Sequence, residues 1–242
     1  MLEYNYATAP ESWLEIDNMT ILFTKKKLDK QLISKKLGEQ FSYDFLEVIK
    51  IKPRKVDPFE LKDYSLIFTS VNGVESFFNN GFLPNEKFTE KYYNRIYCVG
   101  KKTKEALRKR GFGTFKVKRH AKELSEFIIA NSSDEKFIHF CGNLSLDVLN
   151  QEEPLQSVFY RKVVLYDTEL LYPTASREYK VVVFFSPSGV RSFIKNNSLE
   201  DKKIFSIGHT TKKELRKHTS APIITSDESN IHDLLELILA NT

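Results

Sequence analysis

An internal doubling constrains the fold of this chain more than any other feature. "SLIFTSVNGVESFF" (65–78) and "VVVFFSPSGVRSFI" (181–194) share one plan: an apolar run, a Ser, a small polar turn with Gly-Val, and an amphipathic start. Ser70 falls on Ser186, Gly73–Val74 on Gly189–Val190 and Ser76–Phe77 on Ser192–Phe193. "YCVGKKTKEALRKRG" (97–111) and "FSIGHTTKKELRKHT" (205–219) follow in the same order, with Thr103 on Thr211 and Leu107–Arg108–Lys109 on Leu215–Arg216–Lys217. "AKELSEFI" (121–128) and "IHDLLELI" (231–238) complete the match. Three units recur in order with nearly constant spacing, so the chain reads as two copies of one architecture.

Each unit opens with a short, almost continuously apolar run, as strands of a parallel sheet covered on both faces do. A segment with Leu on one face among Lys, Arg and Glu follows, the pattern of a helix lying on such a sheet. The expected fold class is therefore α/β, with two parallel-sheet domains. The copies are unequal. The first runs on into "KFIHFCGNLSLDVLNQE" (136–152), read as a further strand and helix, and the second stops at Thr242. "TILFTKKKLDKQLISKKLG" (20–38) has the plan of the missing unit. The expectation is one discontinuous domain from 20–45 plus 168–242, an inserted domain at 52–160, and a two-stranded β connector from 46–51 and 161–167.

Composition narrows the function classes. With 41% hydrophobic and 29% charged residues in 242, the chain has the balance of a folded soluble protein with material for two cores. Its longest wholly apolar run, Val181 to Phe185, is too short to span a bilayer. Residues 1–19 carry acids and lack the basic and apolar regions of a signal, and no function is assigned to them. Cys98 and Cys141 lie in apolar runs and read as buried thiols of a reducing, cytoplasmic compartment. A net charge of +5 suits an acidic partner, whether nucleic acid, anionic lipid or a polycarboxylate metabolite.

In open parallel sheets, ligands bind beyond the carboxyl ends of the strands. The repeated turns stand there. "TSVNGV" and "SPSGV" offer backbone N–H groups at helix starts, where the dipole favours anions. "VGKKT" and "IGHTT" add a Gly for close approach and a Thr that caps a helix or binds a carboxylate, and "CGN" (141–143) is a third turn of the kind. Ser, Thr and Asn at such positions are also ordinary caps. Their arrival in matched sets, beside Lys25–Lys27, Lys101–Lys102 and Lys212–Lys213, is what raises them to a candidate anion site. No Walker A, GxGxxG, HExxH or GxSxG pattern occurs, and the five histidines lack metal-ligand spacing. His209 reads as a surface residue and Glu152–Glu153 as helix-end solvation. A protein with so little acid–base chemistry is expected to work by shape and anion contacts.

"LIFTSVNGV" (66–74), "YCVGKKTKEAL" (97–107), "FCGNLSLDVL" (140–149), "VVLYDT" (163–168), "FFSPSGV" (184–190) and "SIGHTTKKEL" (206–215), taken in order, resemble the uroporphyrinogen-III synthase family. The resemblance covers the chain from about residue 20 onward. It implies two HemD-like α/β domains joined by a two-stranded ladder, and a reaction that needs no cofactor or metal. Hydroxymethylbilane, a linear tetrapyrrole polycarboxylate, would lose water and close to uroporphyrinogen III with its last ring inverted, through an azafulvenium-type cation and a spiro intermediate. Such an enzyme is a lyase of haem biosynthesis, cytoplasmic and monomeric, with a small-molecule substrate and no nucleic-acid or membrane partner.

The resemblance also implies a site. Tyr166 of "VVLYDT" is the implied catalytic residue, a general acid toward the departing hydroxyl. Its other reading is a packing tyrosine on a β connector. Implied substrate contacts are Thr24, Lys25, Ser70, Asn72, Gly73, Thr103, Gly142, Asn143, Ser186, Ser188, Gly189 and Thr211. The chain departs from the family at Thr24-Lys25-Lys26, where Thr-Arg-Pro is frequent, and so lacks a bidentate guanidinium there. His209 stands where Pro is frequent. The rival function is a non-catalytic tetrapyrrole- or anion-binding module on the same fold. A nucleic-acid-binding protein would interleave basic residues with exposed aromatics, whereas the aromatics here cluster in strand-like runs.

Overall fold

The computed structural model describes residues 20–85, 93–145 and 158–242. Their strands are β1 (Thr20–Phe23), β2 (Ser42–Phe45), β3 (Ile49–Pro53), β4 (Tyr64–Phe68), β5 (Ile96–Val99), β6 (Lys116–Lys118), β7 (Lys136–Gly142), β8 (Tyr160–Leu170), β9 (Val181–Phe184), β10 (Lys203–Ser206) and β11 (Ile223–Thr225). The helices are α1 (Lys30–Leu37), α2 (Val71–Asn79), α3 (Lys101–Lys109), α4 (Ala121–Asn131), α5 (Pro187–Phe193), α6 (His209–Leu215) and α7 (Ile231–Asn241). Of the sequence-derived readings, residues 1–19, the helix expected after "CGN" and the pair Glu152–Glu153 lie outside the described residues.

The chain divides into two compact units, Met1–Lys50 with Leu170–Thr242, and Ile51–Glu169. The first holds a five-stranded sheet in the order β11-β10-β9-β1-β2, parallel throughout. Its continuous apolar runs follow from burial on both faces, because successive side chains of a strand point to opposite sides. Leu22 and Val182 enter one core with Val190 and Phe193 of α5 and Leu215 of α6. Their neighbours Ile21, Phe23, Val181 and Val183 enter the other, with Ile33 and Leu37 of α1 and Leu234, Leu235 and Ile238 of α7.

The second unit carries the sheet β3-β8-β7-β4-β5-β6. Pairs β8–β7, β7–β4, β4–β5 and β5–β6 are parallel. Strand β3 runs the other way beside β8: Arg54 N–H donates to Leu165 O at one end, and Leu171 N–H donates to Val48 O past the other. Leu66, Phe68, Ile138, Phe140, Val163 and Leu165 pack beneath α2 and α3, while Ile67, Tyr97 and Phe137 pack against Leu124 and Ile128 of α4. The expected α/β class with parallel sheets is what the molecule has. Edge strands β2, β6 and β11, three or four residues each, are the elements that sequence pattern does not single out.

Buried in β7, His139 has no exposed surface. One ring nitrogen meets Thr69 Oγ1 at 2.9 Å and the other meets Tyr160 Oη at 2.7 Å. Burial, helped by Lys162 on the paired strand, pushes its pKa down from 6.5 to about 3. The unfolded chain therefore binds a proton that the folded chain refuses. Stability contributed by the neutral ring is full above about pH 6.5 and is lost progressively as pH falls toward about 3. In urea melts across this range, His139→Gln is expected to flatten the acid slope. An unchanged slope would assign the acid lability to other groups.

Candidate functional site

In each unit the parallel strands end on one edge, and the turns singled out by sequence follow β4, β5, β7, β9 and β10 on that edge. Two of these turns are near-copies. Ser70 caps α2 with φ −154° and ψ 155°, its Oγ accepting the Gly73 N–H at 3.0 Å. Ser186 caps α5 with φ −163° and ψ 155°, its Oγ accepting the Gly189 N–H at 3.0 Å. Gly is required at Gly73 because a Cβ there would stand 2.8 Å from Phe140 O, at the end of β7. Gly189 is nearly as tight, 3.2 Å from Val48 Cγ2. Ser188 Oγ lies 3.2 Å from Ser186 Oγ, and Asn72 is exposed in the first turn of α2.

Helices α3 and α6 start differently. Gly100 and Gly208 precede them and no side chain caps either one. Neither first turn holds an acid; Lys212 and Lys213 of "HTTKK" lie in the last turn of α6, whereas "KKTK" places Lys101 and Lys102 at the positive end of the α3 dipole. That arrangement is unfavourable by itself and is relieved by an external anion. Thr103 and Thr211 are the third residues of these helices and are only 4% and 1% exposed, so they sit beneath the turns. Thr24 donates its hydroxyl to Val183 O at 2.8 Å and so ties the end of β1 to β9. Lys25 Nζ stands 5.8 Å from the centre of the Phe185 ring.

Tyr166 owes its direction to an irregularity. Cys141 pairs with Val164, but Gly142 pairs with Tyr166, so β8 carries one extra residue there. Leu165 joins the core under α2 with Val163. Simple alternation would then send Tyr166 to the opposite face. The shift instead lays its ring over Gly142, on the same side as α2, as bulges re-aim side chains. A Cβ on Gly142 would fall 2.5 Å from Cε2 and Cζ of that ring and 2.9 Å from Oη. Asn143 secures the strand beyond, its N–H donating to Tyr166 O at 3.0 Å and its Oδ1 accepting the Thr168 N–H at 2.8 Å.

The phenol of Tyr166 meets Ser70 Oγ at 3.0 Å. It is 8% exposed. Burial raises its pKa above the ordinary 10, with the Ser70 hydrogen bond acting in the opposite sense and Cys141 adding to the rise. The group is a protonated donor at neutral pH. Ser70, Gly73, Gly142, Asn143 and Tyr166 thus meet in one unit, and Ser186, Ser188 and Gly189 meet in the other. Sequence reasoning did not find the Ser70–Tyr166 contact. It also passed over Arg54, whose Nε and Nη2 each donate at 2.7 Å to Asp167, beside a Lys52–Glu169 pair at 2.9 Å. Alternating cations in "IKPR" and anions in "YDTE" carry the signal for that ladder.

Among the described residues no three His, Cys, Asp or Glu side chains gather where a metal ion could be held. A hollow of about 690 Å³ by α1 and β2, lined in part by Lys30, Tyr43 and Asp44, and one of about 470 Å³ by Arg54 and Asn80 contain none of the site residues.

The family model for uroporphyrinogen-III synthase HemD matches residues 25–236. Among solved structures, the chain is similar to uroporphyrinogen-III synthetase from Helicobacter pylori 26695, with a TM-score of 0.63 and 19% identity over 93% of this chain and 100% of that one. It is also similar to a mutant uroporphyrinogen III synthase from the extremely thermophilic bacterium Thermus thermophilus, with a TM-score of 0.62 and 13% identity over 92% and 96% of the two chains. At such identities the likeness is one of fold. No curated protein sequence matches the chain.

Proposed function

The chain belongs to the uroporphyrinogen-III synthase family, and from that premise we propose that it is a lyase that closes hydroxymethylbilane to uroporphyrinogen III. The observation that carries the reading is Tyr166, a buried protonated phenol set on Gly142 and hydrogen-bonded to the cap of α2. The C–O bond of the hydroxymethyl group breaks with its electron pair on oxygen. That oxygen takes the phenolic proton and leaves as water, and the substrate remains as a cation. Proton donation of this kind contributes about 10²-fold or more.

The substrate's carboxylates suit the helix starts described above. Ser70 and Ser186 each occupy one N–H of a first turn and leave others directed outward. The uncapped start of α3 carries Lys101 and Lys102, and Lys212 and Lys213 stand in the last turn of the short α6. Closure without assistance gives the non-inverted isomer, so the enzyme's main contribution is to hold the chain for attack at the hindered carbon. We place it in the cytoplasm as a monomer with a small-molecule substrate and no nucleic-acid partner. Among the described residues, no helix is long and apolar enough to cross a membrane.

An isomer-resolved assay tests the proposal. Hydroxymethylbilane is supplied, the products are oxidised, and the type I and type III uroporphyrins are separated. Type III in excess over the enzyme-free control is expected. Type I at the spontaneous rate, with tight binding of the tetrapyrrole, would make the protein a binding module.

A further inference from the structure

We propose that Ser70 is the positioning residue for Tyr166, turning the phenolic proton outward and holding the phenolate after that proton has left. The inference rests on the assignment of Tyr166 as the proton donor and adds to it a second residue with a role of its own. A serine hydroxyl has one hydrogen and two acceptor sites. In Ser70 one acceptor site is filled by the Gly73 N–H at 3.0 Å, which fixes Oγ at the helix cap. The same Oγ lies 3.0 Å from Tyr166 Oη. When Ser70 donates to Oη, the phenolic hydrogen points away from Ser70, toward a bound substrate. Once that proton passes to the departing hydroxyl, the phenolate only accepts hydrogen bonds. The Ser70 O–H then becomes a charge-assisted donor to it.

The position of Ser70 adds to the effect. It precedes a nine-residue helix whose first turn carries no acid, so the phenolate forms beside the positive end of α2. Among the described residues, other ionisable groups around Tyr166 are few or already neutralised. Cys141 faces it from β7. Asp167, next along β8, is held by Arg54, which follows β3. Glu75, further along α2, is paired with Arg110.

The repeat supplies a control. Ser186 caps α5 with the same geometry, but its hydroxyl neighbour is Ser188. Ser70→Ala and Ser186→Ala are therefore expected to lower the melting temperature alike. Ser70→Gly serves as the second variant, because Gly keeps most of the capping preference while removing the hydroxyl.

The primary readout is the tyrosinate titration of Tyr166, isolated as the difference spectrum between each protein and its Tyr166→Phe counterpart. Loss of the Ser70 donation is expected to move this titration to higher pH in Ser70→Ala and Ser70→Gly. Ser70→Thr restores it, and Ser186→Ala leaves it in place. In turnover, Ser70→Ala and Ser70→Gly lower kcat about tenfold or more with KM nearly constant. The alkaline limb of the pH profile also shifts upward, because the acid is lost only above its own pKa. An unmoved Tyr166 titration overturns the proposal. So does a raised KM that Ser70→Thr does not rescue, which would make Ser70 a substrate contact. If the wild-type protein makes no excess of type III product while the titration still shifts, the synthase reading falls and the Ser70–Tyr166 coupling stands.

Discussion

Tyr166→Phe is expected to lower turnover of hydroxymethylbilane about 10²-fold while the fold and the substrate's KM change little. The change removes one oxygen. The ring still fills the space over Gly142, and Leu165 and Val163 still pack beneath α2. Ser70 keeps its bond to the Gly73 N–H, so α2 remains capped. What is lost on the stability side is a single neutral hydrogen bond, about 1 kcal/mol. Steady-state kinetics with product isomers resolved, beside a urea melt, separates these consequences. A parallel fall in kcat and kcat/KM with the melt nearly unmoved fits an interaction realised at the transition state. Undiminished turnover would take Tyr166 out of the mechanism and leave it as a packing residue of β8.

Much of this architecture is legible in the sequence, because it rests on local rules. Runs such as Ile21–Phe23 and Val181–Val183 send alternate residues into two cores, and only a parallel sheet covered on both faces needs that pattern. Ser70 and Ser186 stand in matched turns, and they adopt nearly the same backbone angles and cap the same N–H. The less legible parts depend on long-range geometry. "VVLYDT" reads as plain alternation, and nothing within it says that β8 takes an extra residue opposite Cys141 and Gly142. That insertion is a property of the pairing between two strands. The Ser70–Tyr166 bond depends in turn on the bulge, since an unshifted strand would carry the phenol to the other face of the sheet. Thr24 shows the reverse difficulty. Its place after β1 suggests a turn residue, yet the hydroxyl is spent on Val183 O of a strand distant in sequence.

The bulge makes Gly142 the position least able to accept a side chain. Gly142→Ala is expected to reduce turnover at least as far as Tyr166→Phe and to destabilise the protein as well. A methyl group at 2.5 Å from Cε2 and Cζ overlaps atoms of a ring, and a ring cannot yield as the end of a flexible chain does. Tyr166 is 8% exposed and closed in, so its phenol must leave Ser70 or the β7–β8 pairing must open. Overpacking of this sort costs about 1–3 kcal/mol. Strain at Gly142 has one identifiable source, so a double-mutant cycle tests it directly. Tyr166→Ala clears the ring, and in that background Gly142→Ala should cost far less stability than it does in the wild type. Equal costs in both backgrounds would mean that backbone freedom at the strand end, not room for Tyr166, is what requires glycine there. A large difference would show that the glycine of "CGN" serves the phenol, placing a residue first read as an anion-binding turn among the supports of the proton donor.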